Sequence, residues 1–260
     1  MISVVYPYVF GADMFEELRY SLRSLEQHFK EEFEVVIVGY IPDWIKNVRT
    51  IPVKRQVGMK ENVTYDAIWK MMQIVNSPLV SEYFIRMYDD IYFLQSTTID
   101  DISVIRANED MNKLDFNQAG GTGSNTWKKQ LWDTYHTIKR QGWYGWNTET
   151  HLPERFDKMI LRWIIEKFNC LDLRLLTSSL YFNHKLHWNR KPPKIVNKLS
   201  GDKAGFYGNF NKNWFKSSTE KEVLDAIEGK RWLNHDDVGC TEPLRNVIRD
   251  LFPYKSRFEK

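Results

Sequence analysis

Apolar and polar positions alternate in two registers along the first third of the chain. Residues 2–9 form a β-rich apolar run closed by Gly11, and Phe15, Leu18, Leu22, Leu25 and Phe29 then recur at helical spacing. Asp13, with Glu16 three residues later, predicts an acidic capping box at the start of that helix. The alternation continues with a buried strand over 33–38 ended by Gly39, a short helix over 42–48 and a strand over 50–54. A helix over 61–75 follows, carrying Ile68, Met71, Met72 and Val75 inward, and then a strand over 83–94 interrupted by Asp89-Asp90. Near-continuous apolar strands separated by amphipathic helices predict an α/β fold with a mostly parallel central sheet flanked by helices.

The remainder is less regular. Helices are expected over 125–140 and 154–168, the second starting behind Pro153 with Phe156, Met159, Ile160, Trp163, Ile164 and Phe168 on one inward stripe. The Lys- and Asn-rich stretch 183–218 has no dominant period and reads as a long irregular excursion, a kind of segment that often carries function. Thr241 caps a last helix with Leu244, Val247, Ile248 and Leu251 inward. Neither an internal repeat nor a low-complexity linker divides the chain, so one domain over 1–260 with an elaborated second half is expected.

Composition narrows the class. With 260 residues, 42% hydrophobic and 27% charged, the chain reads as globular, which excludes disordered, collagen-like and coiled-coil classes. No window approaches the roughly 18 uninterrupted apolar residues of a membrane span. The opening Met1-Ile-Ser-Val-Val-Tyr-Pro has neither the positive region nor the small-residue cleavage site of a signal peptide. Cys170 and Cys240 are too few for a disulfide framework. A cytoplasmic protein is expected, with peripheral association at the inner membrane face left open. The net charge of +3 is uneven: between Lys185 and Lys216 eight Lys/Arg face one acid, Asp202, a local balance of +7. Trp188, Phe206, Tyr207, Phe210, Trp214 and Phe215 are interleaved with those cations. That mixture suits a polyanionic acceptor or single-stranded nucleic acid, stacking on sugars, or an ordinary solvated loop.

The sharpest chemical feature is Arg86-Met-Tyr-Asp89-Asp90-Ile-Tyr-Phe-Leu94, two adjacent carboxylates inside an apolar strand. Unpaired charges there would be very costly, so a divalent metal, a basic side chain or a hydrogen-bonded ligand must compensate them. Ligands of open α/β sheets bind beyond the carboxyl ends of strands, and Mg²⁺ favours one or two carboxylates plus phosphates. A second acidic pair lies at His235-Asp236-Asp237, where a carboxylate could act as general base or support a metal ligand. His151, just before Pro153, would face a helix N-terminus and could donate to a phosphate. His184 and His187 have no acidic or cysteine partner nearby, and Gly120-Gly-Thr-Gly-Ser-Asn125 matches neither the P-loop nor the Rossmann pattern.

Four blocks in order then resemble a family. Val4-Val-Tyr-Pro-Tyr-Val-Phe-Gly-Ala-Asp13 resembles the first block of the Stealth sugar-phosphate transferases. Leu18-Arg-Tyr-Ser-Leu-Arg-Ser-Leu25 with Phe84-Ile-Arg-Met-Tyr-Asp-Asp-Ile-Tyr-Phe93 is similar to the second, and His151-Leu-Pro with the helix bearing Lys158 to the third. His235-Asp-Asp-Val and Phe252-Pro-Tyr-Lys-Ser-Arg-Phe-Glu-Lys260 are similar to the fourth. Phe10 and Tyr88 stand where that family has an acid or amide and an asparagine. The resemblance implies a GT-A-like nucleotide-diphosphosugar transferase, with residues 1–95 as the donor half and 96–260 as the acceptor half. It implies Asp13, Arg86, Asp89, Asp90 and Arg174 as donor-binding residues and Asp236, Asp237 and His151 as catalytic ones. Asp89 and Asp90 would hold a divalent metal, Mg or Mn. The expected donor is a nucleotide sugar, UDP-linked for preference, giving up a glycosyl unit or a sugar 1-phosphate. The expected acceptor is a surface glycan or its precursor, a modified nucleic acid base being the alternative. A non-catalytic carbohydrate- or nucleic-acid-binding module is the reading from outside enzymology.

Overall fold

The computed structural model describes residues 1–9, 15–55, 63–114, 116, 126–196, 201–208 and 219–260. Asp13, Phe10, the Gly120–Asn125 run and Phe210, Trp214 and Phe215 of the basic segment lie outside the described residues.

The first elements are β1 (Ile2–Tyr8), α1 (Glu17–His28), β2 (Phe33–Gly39), β3 (Arg49–Pro52), α2 (Val63–Asn76), β4 (Tyr83–Arg86) and β5 (Ile91–Phe93). The short α3 (Ile99–Ser103), β6 (Arg106–Ala107) and β7 (Glu109–Asp110) lead to α4 (Thr126–Arg140) and β8 (Trp146–Asn147). Next come β9 (Glu154–Asp157), α5 (Lys158–Lys167), α6 (Cys170–Leu173), α7 (Thr177–Asn189) and β10 (Lys194–Ile195). β11 (Lys203–Phe206), α8 (Glu220–Ile227), β12 (Trp232–His235) and α9 (Glu242–Leu251) complete the order.

The main sheet runs β3-β2-β1-β4-β9, parallel throughout except for β9, so the expected α/β architecture with a mostly parallel sheet holds. The central strands β1, β2 and β4 are buried on both faces because side chains alternate between two packed layers, while β3 forms a more exposed edge. Val5, Val36, Phe84 and Phe156 meet α2, α5 and α7 on one face, while Val4, Tyr6, Ile37 and Ile85 meet Leu18, Leu22 and Leu25 of α1 on the other. A second, three-stranded sheet, β11-β12-β5, packs its own apolar cluster against α8 and α9.

Several expectations shift. The strand expected over 83–94 is two strands: β4 stays in the main sheet, and past the acidic turn β5 joins the small one, antiparallel to β12. The helix expected from 154 begins at 158. Residues 154–157 alternate buried and half-buried and are drawn into the sheet beside β4, where Phe156 stacks on Phe84. Asp157 is the true cap, accepting from the backbone N–H groups of Met159 and Ile160 at 2.9 and 3.0 Å. The buried stripe of α5 is therefore Leu161, Ile164 and Ile165, with Met159 and Trp163 exposed. The helix expected over 42–48 is absent: Ile45 bridges to Glu259, and Trp44 and Lys46 exchange backbone bonds with the C-terminal segment. Glu16 makes no capping bond and takes the left-handed conformation. Within 183–218, α7 extends to Asn189, β10 covers Lys194–Ile195 and β11 is fully buried, so the described part of the excursion carries regular elements.

The C-terminal segment is fastened by a buried carboxylate. Glu259 pairs with Arg23 at 2.8 Å and Arg19 at 3.3 Å and accepts from Ser256 N–H at 2.9 Å. Burial works to raise its carboxyl, but the bond from Arg23 and the Ser256 N–H outweigh this and bring it from 4.5 to about 2. A depressed carboxyl stabilises the fold above its unfolded value and stops doing so as pH falls through its folded value. The melting temperature of the native protein should therefore fall between about pH 4.5 and pH 2 by more than that of Glu259→Gln. Parallel pH profiles for the two proteins would refute this contribution.

Candidate active site

The chain leaves β1 for β2 and β3 on one side of the sheet and returns to β4 on the other, so the strand order reverses between β1 and β4. In open α/β sheets the crevice at that switch point, beyond the carboxyl ends, is where ligands bind. The turn Tyr88-Asp89-Asp90 lies there, directly after β4. Helix α1 fixes it from below through two small side chains. Ser21 Oγ donates to the Ile91 carbonyl at 2.6 Å, and Ser24 Oγ accepts from the Phe93 N–H at 3.0 Å.

The charge of Asp89 is felt by Tyr6, by Lys70 of α2 and, together with Asp90, by Tyr92 of β5. Lys70 is 2% exposed and bonded to Asp66 at 2.5 Å; burial lowers its ammonium while Asp66 and Asp89 support it. Its stem passes Gly39, whose left-handed φ of 119° and contact with Tyr8 leave no room for a side chain. Lys70 and Asp66 were missed in the sequence because a Lys-Asp pair four apart on a helix reads as a solvated surface pair. Only the inward stripe that includes Ile68 and Met71 could have hinted otherwise.

Asp90 turns toward the small sheet. Its Oδ2 lies 3.5 Å from His151 Nδ1, and its Oδ1 is buried with no hydrogen-bond partner among the described residues. Burial alone would raise this carboxyl; His151, and His235 beside it, hold it below the ordinary carboxylate value. The His151 ring stacks on Tyr88, centroids 4.8 Å apart and planes within 11°. His151 remains half exposed, with Nδ1 toward Asp90. It does not start a helix, since β9 follows, so the expected helix N-terminus at this histidine is absent. The donor set offered to a divalent metal is two carboxylates, one with an orphaned buried oxygen, and hard oxygen ligands suit Mg²⁺ or Mn²⁺. Asp90 Oδ1 is the oxygen this turn offers such an ion, with Asp89 next to it in the chain.

The second acidic pair is arranged differently. Asp236 accepts from the backbone N–H groups of Gly208 at 2.9 Å and Gly239 at 2.6 Å, and so organises the loop after β12. Asp237 is exposed. His235 is buried between the Tyr92 hydroxyl at 3.0 Å and the Asp236 carbonyl at 3.3 Å, and burial lowers its pKa. Glu17, His235 and Cys240 place ligand atoms within 4.8 Å of one another, all buried, but both His235 nitrogens are already engaged.

Of the two arginines expected to bind the donor, Arg86 meets the turn through the Tyr88 ring, and Arg174 lines a separate cleft. Arg86 is buried against Glu154 and Ser178, under the Tyr88 ring, in a pair where burial pushes the Glu154 carboxyl up against the pull of the guanidinium. Arg174, at φ 54°, lines a cleft of about 650 Å³ with Lys129, His136 and Arg140 of α4 and no residue of the acidic turn. His184 accepts from Trp188 Nε1 at 3.1 Å and packs against Trp143 and Trp163, while its buried Nδ1 has no hydrogen-bond partner among the described residues.

No protein-family model matches the chain, and no curated protein matches it in sequence. Among solved structures, an active-site mutant of LgtC matches with a TM-score of 0.50 at 10% identity, over 100% of this chain and 98% of that one. The galactosyltransferase LgtC with donor and acceptor sugar analogs gives 0.48 at 10% identity, over 100% and 98%. The apo-form glycosyltransferase GlyE of Streptococcus pneumoniae TIGR4 gives 0.44 at 10%, over 98% of this chain and 65% of that one. Likeness at such identity speaks for architecture alone. The fold is the α/β arrangement of GT-A type, with the acidic turn at its switch point.

Proposed function

We propose that the protein is a nucleotide-sugar-dependent glycosyltransferase that moves a glycosyl unit to an acceptor hydroxyl. The carrying observation is the Asp89–Asp90 turn at the switch point, with one oxygen of Asp90 buried and unpartnered among the described residues and the other facing a half-exposed histidine. The four blocks that resemble Stealth proteins agree with a donor linked through a diphosphate. Asp89 and Asp90 would hold Mg²⁺ or Mn²⁺, which supplies positive charge to a departing diphosphate. Lys70, paired with Asp66, lies within the electrostatic reach of Asp89. With Nδ1 of His151 directed at Asp90, Nε2 is left to accept the proton of the acceptor hydroxyl as it attacks the anomeric carbon. Tyr88 holds the ring flat through stacking. A glycan or its precursor is the acceptor class this reading favours. Among the described residues, no helix is long and apolar enough to cross a membrane. The basic segment is a weaker platform for nucleic acid than its charge suggests, since Lys203 is buried and Lys194 is paired with Asp202 at 2.7 Å.

The test is mass spectrometry of the protein incubated with a panel of nucleotide sugars and Mg²⁺ or Mn²⁺. Release of nucleoside diphosphate is expected. Release of nucleoside monophosphate would replace glycosyl transfer by sugar-phosphate transfer. No turnover, and no donor-induced rise in melting temperature, would overturn the nucleotide-sugar reading.

A further inference from the structure

His151 stands in the left-handed backbone region, φ 51°, where a residue bearing a Cβ is strained. Such strain persists only where the surroundings over-determine the conformation. Two buried side chains on adjacent strands do so here. Asn234, fully buried in the middle of β12, donates its Nδ2 to the His151 carbonyl at 2.5 Å. Lys203, 3% exposed at the start of β11, donates Nζ to the Thr150 carbonyl at 2.5 Å. Two successive carbonyls are thus gripped from the small sheet, while the Thr150 N–H closes onto the Thr148 carbonyl at 2.8 Å. β12 pairs with β11 on one side and β5 on the other, so the backbones that carry both donors are held by the sheet. With its backbone pinned, the direction of the His151 Cβ is set, and the ring lies along Tyr88 with Nδ1 toward Asp90.

We propose that Asn234 and Lys203 are positioning residues, a two-pronged clamp that fixes the His151 imidazole against Asp90 and Tyr88. The proposal rests on the reading of His151 as proton acceptor, and it has a structural half that stands without turnover. Neither residue touches the reacting atoms; each acts through the backbone of residues 150 and 151.

The test uses Asn234→Leu, which keeps bulk and removes the amide, and Lys203→Met, which keeps the stem and removes the ammonium. Each is made alone and on a His151→Ala background. Alone, each should lower kcat by about 10- to 100-fold, the penalty of a misplaced catalytic group, with the donor KM unchanged. On the His151→Ala background the same changes should cost less than about 2-fold, because coupled residues are non-additive. Equal losses on both backgrounds would overturn the clamp and leave a general structural role. Independently of activity, amide hydrogen exchange at 150–152 should rise in each variant while the strands of the main sheet keep their protection. Unchanged exchange at 150–152 in both variants would also overturn it. Lys203→Met carries the test if the Asn234 variant does not fold. Absence of turnover in the native protein would refute the site reading, while the exchange result would still decide the clamp.

Discussion

Asp90→Asn is expected to lower turnover by about 10³-fold, the middle of the range that a positioned proton acceptor supplies, with the fold intact. An amide cannot give His151 the negative partner that its Nδ1 faces at 3.5 Å, and it weakens the oxygen set offered to a cation. Stability should respond far less. The neighbouring imidazoles hold the carboxyl below its ordinary value, so its charge contributes to the fold at neutral pH and its removal should lower the melting temperature slightly. Product release, followed by mass spectrometry, should collapse while the variant stays folded. Turnover near the native level in Asp90→Asn would remove Asp90 from the chemistry. Loss of the folded state together with turnover would make it a structural residue.

Arg86→Met is expected to destabilise the protein by about 3–5 kcal/mol, because it takes the guanidinium away from the buried Glu154 carboxylate and leaves it the Ser178 hydroxyl. Removing both charges, in Arg86→Met with Glu154→Leu, should recover most of that loss, since a buried ion pair is often no better than well-packed apolar groups of similar volume. Chemical denaturation of the single and double variants measures the difference. Donor affinity of the double variant separates the two assignments for Arg86. Affinity at the native level leaves the guanidinium as scaffolding under Tyr88. Affinity lost while stability is recovered would return Arg86 to the donor site.

That contrast shows where sequence was informative. The parallel sheet was legible because its strands are apolar on both faces, and the acidic turn because Asp89-Asp90 interrupts such a run. Arg86 sits three residues earlier in the same motif, but proximity in sequence says nothing of facing: it points to β9, under the ring of Tyr88. Asp236-Asp237 reads as a catalytic pair, yet the first of the two spends its oxygens on Gly208 and Gly239. Gly239 is a partner only because its missing Cβ lets the Phe206 carbonyl approach. The strand over 154–157 was hidden by Pro153, which imitates a helix start. Lys203 and Asn234 were out of reach for a different reason. Their target is a carbonyl some 50 to 80 residues away, and backbone acceptors leave no mark in a sequence.

The crossing of the chain from β4 to β5 has a thermodynamic consequence. Two hydrogen-bonded sheets meet across four residues, and the carboxylates at that seam carry their charge toward both, to Tyr6 of β1 and to Tyr92 of β5 and His235 of β12. The sheets also share one core: Ile91, Phe93 and Trp232 of the small one pack with Val4, Tyr6 and Ile37 of the large one. A molecule bound at the seam therefore adds its binding energy to both sheets at once, and saturation would raise one melting transition without splitting it.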